Sequence, residues 1–329
     1  MRTASAIPGE YLETDRRLLW GLCYRMTGNA ADADDLVQET FVRAIEKPPR
    51  RLDEPLRPWL IRVAINLSRD LLRRRRRRGY VGEWLPSPIP TDGLDDPPSY
   101  EPPASSGESP GARYEMIESI SFAFLLALEA LTPSRRAVLL LRDVFDYTTE
   151  ETAEALGMTE ANVKVSLHRA RRRMQEYDKT RSAAGSSLRD RTRLALERFV
   201  ICLSNRDAVG LERLLTEDVV SLSDGGGVVA AAMVPVRGRP RVLRLLTGLN
   251  EKSRGLFGLS LRSFNGLPAL LFDSSARRPG FASRFVLVCE IDREGRVKKL
   301  YTVLSPAKLT AVEQGPAAQS VPELGEANR

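Results

Sequence analysis

Eight of the chain's 21 prolines fall between Pro86 and Pro110. Proline fixes its own φ, lacks an amide donor and biases its predecessor away from helix, so neither helix nor central strand can run through such a stretch. Residues 79–112 also carry Glu83, Asp92, Asp95, Asp96, Glu101 and Glu108 but no lysine or arginine. This composition predicts an extended or disordered acidic linker. The rest of the chain must then build separate cores on either side. Its 329 residues agree with two or three domains.

The hydrophobic pattern changes along the chain. Up to the linker, and again from there to Thr180, apolar residues recur at helical spacing. After Thr216 they form short β-like runs between turn signals. A weaker boundary rich in Ser, Ala and Gly lies at 180–187, and the residues beyond Ala311 read as a polar tail. No internal repeat is present. The order predicted is a helical domain (10–79), the acidic linker (80–113), a second helical domain (114–180), an α+β domain (188–311) and a tail (312–329).

Composition excludes some functions. The net charge of +7 calls for a polyanionic partner, which charge alone does not identify. The longest apolar stretch, residues 228–236, contains a proline and falls far short of the roughly 20 residues that span a bilayer. The N-terminus has no apolar export segment. Cys23, Cys202 and Cys289 are scattered among apolar neighbours without a C-x-x-C pair, so buried free thiols are expected rather than a disulfide or metal site. A cytoplasmic protein without cofactor, metal or membrane attachment is expected.

In the first helical domain, residues 12–26 form an amphipathic helix ended by Thr27-Gly28-Asn29. A second helix opens with Asp32, Asp34 and Asp35, where carboxylates complement the helix dipole. Its apolar stripe is Leu36, Val37, Phe41, Ala44 and Ile45. Asp35, Gln38 and Glu39 line an adjacent polar face, which taken alone is simply a solvated surface. A third helix begins near Pro58 and buries Leu60, Val63, Ala64, Leu67 and Leu71, leaving Arg62, Asn66, Arg69, Asp70 and Arg73 outward. It ends in six arginines, 73–78, either a solvated end or a phosphate clamp. Trp59 is either a core aromatic or a stacking platform for an unpaired base.

In the second helical domain, Pro133 opens a helix that runs to about Phe145. Thr148-Thr149-Glu150-Glu151 reads as an N-cap with first-turn carboxylates. Gly157 ends that short helix, and Thr159 caps the next. Two helices so joined form a helix-turn-helix. In its second helix Val163, Leu167, Ala170 and Met174 share the inner face. The outer face carries Lys164, Val165, His168, Arg169, Arg171 and Arg172, donors suited to base edges and phosphates in a major groove. His168, the only histidine, is either a groove contact or merely exposed.

Three blocks together carry a resemblance. GNAADADDLVQETFVRAIE, PWLIRVAINLSRDLLRRRRR and LTPSRRAVLLLRDVFDYTTEETAEALGMTEANVKVSLHRARRR follow one another in the manner of an extracytoplasmic-function (group IV) sigma factor, over residues 10–178. The resemblance implies that Asp32, Asp35, Gln38 and Glu39 dock on the clamp of core RNA polymerase. It implies that Trp59, Arg62, Asn66, Asp70 and Arg73 capture the melted −10 element, and that Lys164, Val165, His168, Arg169 and Arg172 read the −35 element of promoter DNA. The linker would thread the polymerase cleft, where an acidic peptide mimics the nucleic-acid backbone.

The C-terminal α+β domain reads as two helices, a strand at 219–222 and a turn at Asp224-Gly225-Gly226-Gly227. A helix at 239–249 and two hairpins follow. The first hairpin turns at Asn265-Gly266, a strong I′ signal, and the second at 292–295. The domain resembles the SnoaL-like superfamily, fused to one group of these sigma factors, and is expected as an antiparallel cone or roll with a concave face. That group carries WLPEP, DGGGK and NPDKL motifs. The counterparts are Trp84-Leu85-Pro86-Ser87-Pro88, Asp224-Gly225-Gly226-Gly227-Val228 and Ser305-Pro306-Ala307-Lys308-Leu309. These residues are the expected regulatory interface, and a small molecule in the cone would be a further partner.

Enzymes of the superfamily use an acid–base group, often His or Asp. The domain has no histidine, so a general base would have to be Asp224 or Asp273, and Asp224 reads more simply as a turn residue. The expectation is therefore a sigma factor without catalysis, modulated in cis by its last domain. The alternatives are a stand-alone helix-turn-helix regulator, and a SnoaL-like enzyme with a DNA-binding front.

Overall fold

The computed structural model describes residues 9–49, 55–91, 113–181, 186–253, 257–274 and 279–314. The acidic residues expected between 92 and 108, and the tail beyond 314, lie outside the described residues. The chain divides into two compact units, residues 1–79 with 94–181 and residues 80–93 with 182–329.

The first unit is all-helical. It comprises α1 (Gly9–Thr27), α2 (Ala30–Glu46), α3 (Leu56–Arg78), α4 (Phe122–Leu128), α5 (Pro133–Asp143), α6 (Thr149–Leu156) and α7 (Glu160–Thr180). Local chemistry sets the helix ends. Asn29 caps α2 through Oδ1, which accepts from the Ala31 amide at 3.0 Å. Thr132 caps α5, with Pro133 in its first turn, where a missing amide costs nothing. The buried stripe of α2 is Ala30, Ala33, Leu36, Val37, Thr40, Phe41 and Ala44, whereas Ile45 is 58% exposed. On α3 the buried face is rotated by about one residue from the expected stripe, to Leu60, Ile61, Ala64, Ile65, Ser68 and Leu72. Ser68 makes this possible. Its hydroxyl donates to the Ala64 carbonyl at 2.8 Å, so a polar side chain sits in the core without an unmet donor.

The second unit packs α8 (Ser186–Ser204), α9 (Ala208–Leu214) and α10 (Arg239–Ser253) on a sheet of β1 (Leu215–Asp224), β2 (Val236–Arg237), β3 (Gly258–Phe264), β4 (Leu267–Asp273), β5 (Arg284–Ile291) and β6 (Val297–Val303). Both expected hairpins are present: β3 pairs with β4 across Asn265-Gly266, and β5 with β6. The core joins Leu196, Phe199 and Val242 of the helices to Leu270, Leu287 and Leu300 of the sheet. Each such side chain contributes about 1.5–3 kcal/mol on burial.

The expected closed antiparallel cone or roll is not formed. The strand order is β2-β1-β6-β5-β4-β3, an open sheet whose edges are β2 and β3, and β1 runs parallel to β6. Closure would need β2 to pair with β3, and β2 is two residues long. Part of the β3 edge is instead met by the proline-rich segment. Pro90 bridges Phe264, and the Thr91 amide donates to the Ser263 carbonyl at 2.8 Å.

Candidate functional site

The polymerase-docking residues assigned by resemblance lie along α2. Asp35, Gln38 and Glu39 are exposed and Asp32 is half-buried. Glu39 pairs with Arg43 at 2.9 Å, one turn on and equally exposed, a pair that contributes little to stability. Asp34, on the same helix, accepts from the Trp20 indole at 2.7 Å. Its carboxyl is held above the usual range, chiefly by burial.

On α3, Arg62, Asn66, Asp70 and Arg73 are exposed and Trp59 is half-buried. Asp70 and Arg73 pair with each other at 3.3 Å. Arg62 donates to backbone carbonyls at the end of α6, reaching Ala155 O at 3.4 Å and also Glu154 O. Arg75 and Arg76 of the arginine run also reach the second helical region: Arg75 pairs with Glu129 at 3.0 Å and Arg76 donates to the Leu131 carbonyl at 3.1 Å.

The helix-turn-helix is built from caps. Thr148 and Glu151 close a reciprocal capping box on α6, Gly157 ends that helix at φ +61°, and Thr159 caps α7. Val138, Ala153, Val163 and Leu167 pack together and hold α6 against α7. Lys164, Val165, His168, Arg169 and Arg172 all stand exposed on the outer side of α7. Arg171 departs from that face: its guanidinium grips the buried Asp143 carboxylate at 2.6 and 2.9 Å. That carboxylate raises the Arg171 pKa, and the residue is structural.

The second unit contains a buried ionic cluster. The Asp224 side chain, at the end of β1, accepts from Tyr80 Oη at 2.6 Å, the Leu85 amide at 2.8 Å and the Gly226 amide at 2.9 Å. Lys308 Nζ lies 2.6 Å from Asp224 Oδ2 and also donates to the Leu85 carbonyl. Its ammonium sits 4.7 Å from the Tyr80 ring centre and 4.4 Å from that of Trp84, so two aromatic faces complement the charge. Strand register puts Asp224 beside Val303 and Val286, on the sheet face away from the helical core. The three glycines serve close approach: a Cβ on Gly226 would stand 2.5 Å from Ser305 Oγ, and its φ is +62°.

Residues 80–91, the first part of the segment expected as an extended or disordered linker, are therefore held within this unit, with residues 85–89 buried. At its far end the Ile89 amide donates to Asn265 Oδ1 at 2.9 Å and its carbonyl accepts the Asn265 amide at 3.0 Å. Trp84, Leu85, Pro86, Asp224, Gly225–Gly227 and Lys308 meet in or beside the cluster, with Ser305 over Gly226. Pro306 and Leu309 form the short turn that presents Lys308. The counterpart motifs differ from the family's at Ser87, Val228, Ser305 and Ala307, yet Asp224 and Lys308, which carry the charges of the contact, are retained. The sequence does not mark Tyr80, because one tyrosine at the end of an arginine run gives no signal. Asn265 was found only as a turn residue.

A helical unit with an exposed acidic helix, an arginine-bearing helix and a helix-turn-helix has the features of a DNA-binding transcription protein. Residues 12–78 match Sigma-70 region 2, and residues 121–174 match Sigma-70, region 4. The chain is 31% identical over 303 residues to the ECF RNA polymerase sigma factor SigJ of Mycobacterium tuberculosis, covering 91% of this chain and 92% of that one. It is 39% identical over 177 residues to SigG of the same species, half of this chain and 47% of that one. The crystal structure of M. tuberculosis SigJ superposes with a TM-score of 0.66 at 26% identity, over 92% of this chain and 98% of that one. The chain belongs to the extracytoplasmic function (ECF) sigma factors, with an α+β domain behind region 4. As a member of that family it binds RNA polymerase and directs transcription from promoters. Among the described residues no helix is long and apolar enough to cross a membrane.

Proposed function

We propose that this sigma factor works in the cytoplasm, without catalysis of its own, and that its C-terminal domain governs initiation by holding or releasing the segment after α3. In this reading Asp32, Asp35, Gln38 and Glu39 dock on the polymerase clamp. Trp59, Arg62, Asn66, Asp70 and Arg73 take the melted −10 strand, and Lys164, Val165, His168, Arg169 and Arg172 read −35. The observation that carries the regulatory part is the Lys308–Asp224–Leu85 cluster. Residues 80–91 are bound to the domain through main-chain and buried ionic contacts, and the same residues must be free if they are to thread the polymerase cleft. The domain can bias initiation only by the difference in contact energy between held and released segment, typically about 1–3 kcal/mol for coupled sites.

Run-off transcription from pooled genomic fragments, with holoenzyme made from the full chain or from Lys308→Met, tests this. The variant should change the yield at every promoter by a similar factor. An unchanged yield, with residues 80–91 demonstrably released, would remove the regulatory role.

A further inference from the structure

Several arginines cross between the two sigma regions and donate to backbone oxygens. Besides Arg62 on Glu154 and Ala155 and Arg76 on Leu131, buried Arg136 of region 4 reaches the Met26 carbonyl at 2.6 Å. Buried Arg25 of region 2 reaches Ser119 Oγ at 2.7 Å and the Met116 carbonyl at 3.1 Å. The Glu154 and Ala155 carbonyls lie in the last turn of α6, at the negative end of the helix dipole. To an arginine fork they resemble the oxygens of a nucleic-acid strand.

The closed arrangement does not fit a promoter. The −35 and −10 elements are some 25 base positions apart, on the order of 80 Å of duplex at about 3.4 Å per step. The helices assigned to them, α3 and α7, have 23 and 21 residues, about 35 Å or less each, and here α3 is bonded to the helix-turn-helix itself. Region 4 must leave α3 before both elements can be engaged.

We propose that Arg62 is a shared ligand. In the free protein it locks region 4 onto region 2 by donating to the end of α6, and on promoters the −10 strand takes over the same donors, so closure and strand capture exclude one another. The proposal rests on the assignment of the α3 face to the −10 strand. It differs from the regulatory role of the C-terminal domain, since every group involved lies in the sigma regions. The lock would keep the free chain from loading on stray single strands.

The test uses the full chain with Cys202→Ser and a dye pair at Ile45→Cys on α2 and Glu176→Cys on α7, both exposed positions, read by energy transfer. A random-sequence 20-nucleotide single strand should lower the transfer. Arg62→Ala should lower it without DNA, the closed-to-open ratio falling about tenfold for the loss of a charged-donor bond. Arg62→Lys, a single point donor, should lie between. Unchanged transfer in Arg62→Ala, or full transfer in wild-type chain saturated with strand, overturns the proposal. Asn66→Ala, followed by strand anisotropy, tests the −10 assignment separately, because Asn66 makes no bond to region 4 among the described residues. Weaker strand binding by that variant with wild-type transfer supports the assignment and leaves the lock to be judged by Arg62 alone.

Discussion

The Lys308 ammonium stands 2.6 Å from the Asp224 carboxylate, although 84 positions separate the two residues in the chain. Both side chains are buried, and the pair is completed by the main chain of Leu85, in the segment that leaves the first helical region. A buried pair of this kind is weak evidence for stability but strong evidence for coupling, because losing one partner strands the other in a place water does not reach.

Lys308→Met or Asp224→Asn alone should therefore destabilise the second unit by about 3–5 kcal/mol, read by chemical denaturation. The double variant should lose less than the sum. In the native state the amides of Leu85, Ile89 and Thr91 should exchange with solvent faster in either single variant, with circular dichroism unchanged. Trp84→Ala should act in the same direction and non-additively with Lys308→Met, since both break one contact. Full protection of the Leu85 amide in Lys308→Met would show that the cluster does not hold the segment.

Promoter assays should separate the exposed residues of α7 from Arg171. Lys164→Ala and Arg169→Ala should each cost about 1–3 kcal/mol of −35 discrimination if they meet base edges. Equal loss on all sequences, with a shallower salt dependence, would make them phosphate contacts. Arg171→Ala should behave differently, removing about 1.5–3 kcal/mol of stability by unpairing Asp143 while preserving sequence preference in the folded fraction. Altered preference in that variant would return Arg171 to the DNA-facing set.

Charge reversal on α2 tests the proposed docking face. Reversing Asp35 and Glu39 to Lys should abolish association with core polymerase in a pull-down while leaving helical content intact, since both side chains are exposed. Retained binding by the double variant would move the docking site off α2.

The thiols should differ in reactivity with pH. Burial pushes Cys23 and Cys289 up to about 12, so both stay protonated through pH 8 with only about one molecule in 10⁴ as the nucleophilic thiolate. Cys202, half-buried and raised by burial and then by Asp207, should be the first alkylated in the native protein. The other two should react only on unfolding, or as the pH approaches 12. Native labelling of Cys23 at pH 8 would contradict the packing of α1 against α3.

The sequence by itself determined whatever depends on neighbours within a turn or two. Thr148 with Glu151, Gly157 and Thr159 mark the helix-turn-helix because capping acts over three or four residues. Asn265-Gly266 marks its hairpin because positive φ is a local demand. The acidic face of α2 and the outer face of α7 follow from helical period, and their roles came from resemblance of whole blocks. Tertiary structure decided the rest. The buried face of α3 turned on Ser68, whose hydroxyl is satisfied by its own helix. Arg171 left the DNA-facing set because Asp143, 28 positions away, lies within its reach. The sheet stayed open because β2 is too short to pair with β3, and the β3 edge receives Pro90 and Thr91 instead. Tyr80, Leu85, Asp224 and Lys308 became one cluster only when distant strands brought them together. Periodicity and caps constrain a chain over a few residues; which distant donor meets which acceptor is set by the packing of whole elements, where burial makes an unpaired charge too costly to leave.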